Sequence, residues 1–223
     1  MTQFAGTPPF DRLPRNIPVF PLPGILLLPG AQLPLHLFEE RYRDMTRDAI
    51  AGDRMIGVMQ PRDPKHGEWA PALYPIGCLG RIVGFRESED GRYYITLAGV
   101  CRFTVVGEAE SDALYRRMNV DYTNYADDMK DESSESLIDR TTFMPALKSF
   151  LTQFEVNVDW DALEKVDDEP LIRSLAMTCP FEPSEKQAIL EAATPAERAR
   201  LVAALIQMAV ASDAGDDEDR KLQ

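Results

Sequence analysis

The apolar residues of this chain change their period once, and that change sets what it can fold into. Between Ile76 and Tyr122 they alternate with polar ones. Tyr93, Ile95 and Leu97 share one face, Phe103 and Val105 continue it past a tight turn expected at Gly99, and Met118, Val120 and Tyr122 alternate with Arg117, Asn119 and Asp121. Asp90-Gly91 between two such runs signals a β-hairpin. Beyond residue 136 the apolar residues recur every three or four places instead, in Leu147, Phe150, Leu151 and Phe154 and again in Leu201, Leu205 and Met208. That is the spacing of one face of a helix. The charged stretch from Asp127 to Glu135, with little to bury, separates the two regimes. The fold class is therefore α+β, with a strand-rich part first and a helical part second.

The N-terminal region fits the first regime. Ile17–Phe20 and Gln32–Leu35 are short strand candidates punctuated by proline, which suits strand ends and sheet edges. Phe38, Tyr42, Met45 and Ala49 recur at helical spacing, Glu40, Arg43, Asp44 and Arg47 lie opposite them, and Gly52 is placed to end the helix. Arg54–Gln60 follows as a buried strand. Pro61 to Pro75 is a long irregular loop that carries His66 and Trp69. In the helical part, Pro170 suits a first turn, and Ser184-x-x-Gln187 and Thr194-Pro-Ala-Glu197 have the form of capping boxes.

Charge narrows the partners. The chain has a formal net charge of −13 at pH 7, and residues 121–223 carry all of it, because acids and bases balance over residues 1–120. Such acidity repels duplex nucleic acid and anionic membrane, and the arginines of the neutral half form no basic stripe. No signal-peptide pattern opens the chain, and the apolar run Ile25–Leu28 is too short to span a bilayer. A cytoplasmic protein, with no nucleic-acid or membrane partner, is expected; the sequence specifies no oligomeric state.

Catalytic chemistry is thinly supplied. Cys78, Cys101 and Cys179 are widely spaced and read as small core residues, so no disulfide framework, metal site or cofactor is expected. No GxxxxGK[ST] phosphate loop, HExxH or GxSxG appears. Ser184 and Lys186 are close, but a helix start explains the serine by capping. His36 precedes the first helix beside Glu39 and Glu40, where it reads either as half of an acid/base pair or, preferably, as a local hydrogen-bonding residue that orders the helix start. His66 is expected to be exposed.

Three stretches resemble one family. Ile17 to Met45, containing Pro-Leu-His-Leu-Phe-Glu-Glu-Arg-Tyr-Arg, is similar to the opening of the LON substrate-binding domain, the N-terminal module of ATP-dependent Lon proteases that also occurs in stand-alone bacterial proteins, LON-RING ligases and cereblon. It resembles the stand-alone and RING-linked branches more than true Lon. Leu97-Ala-Gly-Val-Cys-Arg-Phe103 and the run from Pro180 to Leu201 are similar to later parts of that module. The resemblance implies a PUA-like pseudo-β-barrel subdomain followed by an all-helical subdomain. The expected divisions are an extension at 1–15, the barrel at 16–124, a charged linker at 125–136, the helical subdomain at 137–212 and a disordered acidic tail at 213–223. It also implies a non-catalytic module that binds unfolded or flexible polypeptide, or a quality-control partner, and lacks the ATPase and Ser-Lys protease parts of Lon.

For such a role the candidate contact residues are Phe20, Leu22, Ile25, Leu26, Leu27, Leu28, Trp69 and Tyr74, the same residues that would otherwise pack the barrel interior. His36, Glu39, Arg41 and Tyr42 fall in the family motif with structural roles: Tyr42 in the core, and Arg41 pairing with a carboxylate to hold the first helix on the barrel. Two other readings stay open, a small hydrolase using His36 with Glu39 or Glu40, and an RNA-binding module of the PUA-like kind.

Overall fold

A computed structural model describes residues 6–63, 70–130, 136–153 and 159–221, with side chains as far as Ala211. The chain forms two compact units, Met1–Asp131 with Glu182–Leu190, and Glu132–Phe181 with Glu191–Gln223.

The first unit is built on six strands: β1 (Asn16–Pro21), β2 (Gln32–Leu37), β3 (Met55–Met59), β4 (Ile76–Glu87), β5 (Tyr93–Glu108) and β6 (Arg117–Asp121). Their order is β2-β5-β4-β3-β1-β6, and β6 also pairs with β5, so that five strands close into a ring. The length of β5 makes this possible. One side of it runs along β4 from Tyr93 to Thr104, while its other side is shared between β2, opposite Tyr93–Ala98, and β6, opposite Thr104–Glu108. The β1–β3 pair is parallel, and the segment between them carries α1 (Glu40–Ala51). Inside the ring, Ile17, Leu79, Cys101 and Phe103 are fully enclosed, each worth roughly 1.5–3 kcal/mol of burial for the larger side chains.

The hairpin at Asp90-Gly91 forms as the sequence indicates. The Gly91 N–H donates to Ser88 O at 2.9 Å, and Gly91 takes φ +75°, a conformation open to glycine at little cost. Gly99, however, makes no turn. It lies inside continuous β5, next to a bulge where Leu79 pairs with Cys101 but Gly80 pairs with Gly99. Its reason for being glycine is close approach: a Cβ there would stand 2.0 Å from the Leu28 carbonyl oxygen.

Helix α1 buries Tyr42, Met45, Thr46 and Ala49, and Tyr42 packs on Phe20 with ring centroids 4.2 Å apart. Phe38, expected on this stripe, precedes the helix and is 66% exposed. The stem of the 61–75 loop is ordered by backbone bonds, Arg62 N–H to Ala72 O at 2.8 Å and Tyr74 N–H to Gln60 O at 3.0 Å. His66 and Trp69 lie outside the described residues.

Helix α5 (Pro183–Glu191) is anchored into this unit by buried polar groups. Lys186 Nζ donates to Gly24 O at 3.0 Å, Gln187 Nε2 to Ile76 O at 3.1 Å, and Gln60 Nε2 to Pro183 O at 2.9 Å. Ser184 is therefore not the capping residue expected; the Glu182 N–H donates to Glu185 Oε2 at 2.8 Å instead, and Gln187 is spent on the barrel.

The second unit is helical: α2 (Arg140–Gln153), α3 (Trp160–Leu163), α4 (Asp168–Thr178) and α6 (Pro195–Lys221). The capping signature at its last helix holds, since the Glu197 N–H donates to Thr194 Oγ1 at 3.1 Å and the Ala193 N–H to Glu197 Oε2 at 3.0 Å. The buried stripe of α6 is Ala199, Val202 and Ile206, one position away from the expected Leu201, Leu205 and Met208; Leu201 and Met208 are exposed. Both stripes have helical period, and the α6 packing against α2 and α4 selects the slimmer face. Leu147, Phe150 and Leu151 of the expected α2 stripe are buried, and Phe143 joins them; Phe154 is outside the described residues.

Candidate polypeptide-binding face

Where β2 laps onto β5 beyond the closed ring, one sheet face is open. The residues of β2 alternate, with Gln32, Pro34 and His36 outward and Leu37 buried. On β5 Tyr93, Ile95 and Leu97 are buried and Tyr94 and Thr96 face out; on β4 Gly84 and Arg86 continue the same level. Register then aligns three groups side by side: His36 opposite Tyr94, and Tyr94 opposite Arg86. The His36 and Tyr94 rings stack at 4.5 Å with an 11° angle, and the Arg86 guanidinium lies 4.6 Å from the Tyr94 ring centre. They border a groove of about 430 Å³ whose lining also includes Gly84, Phe85 and Thr96. Phe38, Val83, Phe85 and Tyr94 are all more than a third exposed here and in the adjoining segments.

This edge does not accept an added strand well. The Gly99 N–H donates to Ala31 O at 2.8 Å, which makes 31 opposite 99 a hydrogen-bonded position. Bonded positions then recur at 33, 35 and 37, and the backbone groups of Gln32, Pro34 and His36 point away from β5. The middle one of these has no N–H to offer.

The structure separates the sequence-level contact residues. Phe20, Leu26, Leu27 and Leu28 are at most 5% exposed and pack the interior. Leu22 and Tyr74 are half-buried, with Arg62 5.8 Å from the Tyr74 ring centre. Ile25, at 37% exposure, is the one residue of the apolar run that reaches solvent. Tyr42 is buried, and burial pushes its hydroxyl pKa up. The carboxylate partner of Arg41 is Glu39, at the start of its own helix, with Nε to Oε2 at 2.9 Å; its guanidinium also lies 4.5 Å from the Tyr42 ring centre. That ion pair is local and does not reach from the helix to the barrel. His36 is held by ring stacking and not by the hydrogen bonding expected of it; among the described residues it makes no hydrogen bond to Glu39 or Glu40. Burial pushes the thiols of Cys78 and Cys101 up, which keeps them from nucleophilic chemistry. Among the described residues no group of three or more metal-ligating side chains occurs, and no helix is long and apolar enough to cross a membrane.

Sequence reasoning missed Arg86 and Tyr94. Counting outward from a two-residue Asp90-Gly91 turn pairs residue 86 with 95, whereas the Ser88 N–H bonds to Arg92 O across a three-residue loop and the register pairs 86 with 94 and 84 with 96. The hairpin signal therefore located the turn but not the face.

Known proteins match both the sequence and the fold. Residues 16–208 fit the family model of the ATP-dependent protease La (LON) substrate-binding domain. The chain is 31% identical over 112 residues to Lon protease 2 of Myxococcus xanthus, covering 50% of this chain and 13% of that protein. It is 23% identical over 191 residues to Lon protease of Desulfosudis oleivorans, covering 81% and 22%, and 32% identical over 76 residues to protein cereblon of Danio rerio, covering 34% and 17%. It thus spans less than a quarter of the length of each of these relatives. Among solved structures, a Lon N-terminal domain protein from Xanthomonas campestris superposes with a TM-score of 0.57 at 24% identity, covering 85% of this chain and 97% of that one. The N-terminal domain of Mycobacterium avium complex Lon protease gives 0.60 at 15% identity, covering 86% and 97%. The α+β chain, with its six-stranded sheet and its helices, belongs to the LON substrate-binding domain family.

Proposed function

We propose that this chain is a non-catalytic polypeptide-binding module of cytoplasmic protein quality control, which takes up apolar side chains of unfolded or flexible polypeptide. The observation that carries the reading is the open β2–β5–β4 face, where Phe38 and Tyr94 stand exposed beside a groove on an otherwise well-packed barrel. Family membership supports it, since the family is described by substrate binding. Ile25 and half-buried Leu22 and Tyr74 remain candidates for a second contact area, and buried Phe20 and Leu26–Leu28 act by holding the barrel beneath. Ordering a flexible segment opposes binding, so single-site affinity is weak. The catalytic reading has less support. His36 is committed to Tyr94, and Glu39 is paired with Arg41.

Co-migration on gel filtration with a permanently unfolded, fluorescently labelled polypeptide tests this reading. A complex that leaves the polypeptide intact on a denaturing gel after hours without nucleotide is expected. Fragmentation of the polypeptide, or its elution alone at high protein concentration, contradicts it.

A further inference from the structure

We propose that the groove on the β2–β5–β4 face selects polypeptide segments in which a carboxylate neighbours an aromatic side chain, with Arg86 as the carboxylate's partner. This rests on the polypeptide-binding reading and names the chemistry of the segment.

Arg86 is the reason. Its guanidinium lies over the Tyr94 ring, 4.6 Å from the ring centre, and among the described residues it makes no hydrogen bond or ion pair. Its five N–H donors are therefore unspent, in a side chain that is already oriented. Several other arginines of this unit are ion-paired: Arg41 with Glu39, Arg92 with Asp90, Arg102 with Asp128 and Arg116 with Glu108. The groove lining contains no carboxylate, and alternation sends Glu87 to the opposite face of β4. In a chain of net charge −13 the lining thus carries a single formal charge, and it is positive. Stacking on Tyr94, itself backed by His36, holds the fork in place and reduces the entropy lost when a carboxylate docks.

Beside Arg86 the groove accepts a flat apolar group. Gly84 has no side chain to fill the floor, and a Cβ there would stand 3.2 Å from Thr96 Oγ1. Pro34 supplies an apolar wall. Because Pro34 interrupts the outward donors of β2, the occupant lies across the strands and is held by its side chains.

The test uses two capped peptides that differ only in Glu or Gln beside a Phe, titrated with the full chain and followed by fluorescence anisotropy and by amide shifts of Gly84 and Thr96. The Glu peptide should bind severalfold more tightly, as an ion pair with an exposed arginine implies, and the gap should close in Arg86→Gln and at high salt. Arg86 is exposed, so Arg86→Gln should fold as the parent does, which circular dichroism checks. Equal binding of both peptides to the parent overturns this inference and leaves the polypeptide-binding reading standing. A gap that persists in Arg86→Gln overturns it as well. Failure of both peptides and of an unfolded polypeptide overturns both.

Discussion

Arg102 Nη2 and Asp128 Oδ1 meet at 2.7 Å with only 6% and 8% of their side chains exposed, and this pair ties three elements of the first unit together. The Arg102 backbone N–H also donates to Asp128, its Nη1 donates to Leu190 O at 3.1 Å, and its guanidinium lies 4.9 Å from the Tyr125 ring centre. Strand β5, the 3₁₀ turn Thr123–Met129 and α5 are thereby held at one point. Removing one partner leaves a buried charge alone. Asp128→Ala should cost on the order of 3–5 kcal/mol in urea unfolding, far more than loss of the exposed Lys130–Asp127 pair in Asp127→Ala. Equal, small losses for both would show that the buried pair does not hold these elements.

The second unit has an acid-sensitive clamp at Asp168. Although burial acts to raise its pKa, the Arg140 guanidinium and the N–H groups of Leu137 and Ile138 outweigh this and hold it below the ordinary carboxylate value. A carboxylate depressed on folding contributes stability above its unfolded pKa of about 3.9 and loses it as the pH falls through the folded value. Stability should therefore drop as the pH falls below about 4. In Asp168→Asn that component of the acid slope should be missing, with lower stability at pH 7. An unchanged slope would exclude the clamp.

Gly99→Ala should be among the more damaging single-methyl additions. The new Cβ meets the backbone oxygen of Leu28 at 2.0 Å, and no rotamer relieves a clash with backbone. A loss of about 3 kcal/mol or more is expected by thermal or urea unfolding. Gly107→Ala has nothing within 4 Å of its Cβ and serves as the control.

Cys78, Cys101 and Cys179 are all buried, and burial raises the pKa of the first two. None should react with a thiol reagent at pH 8 on the timescale of minutes, and all three should react in denaturant. Fast labelling of Cys78 or Cys101 in the native protein would mean that the barrel opens readily.

Much of the fold could be read in the sequence because two periods, a hairpin and one capping box are local signals. Asp90-Gly91 marked the hairpin between β4 and β5, and Thr194 with Glu197 marked the start of α6. What failed depended on distant packing. Gly99 reads as a turn until the Leu28 carbonyl is seen against it. Leu201 and Val202 lie one step apart on the same helical period, and only the helices they face decide which is buried. The apolar run Leu26–Leu28 has the composition of a sticky groove and the location of a core. The exposed platform escaped notice for the opposite reason. Its aromatic residues come from two strands far apart in sequence, and the alignment of His36 with Tyr94 is a property of register alone.

The central claim is that polypeptide binds at this exposed face while the buried apolar run supports the barrel. The most direct measurement is fluorescence anisotropy of a labelled unfolded polypeptide titrated with the parent chain, with the double variant Phe38→Ser/Tyr94→Ser, and with Leu26→Ala. The account predicts saturable binding by the parent, at least a severalfold loss in the folded double variant, and parental affinity in Leu26→Ala under conditions where its destabilised barrel remains folded. Parental affinity in the double variant, or no saturable binding by the parent, would contradict it.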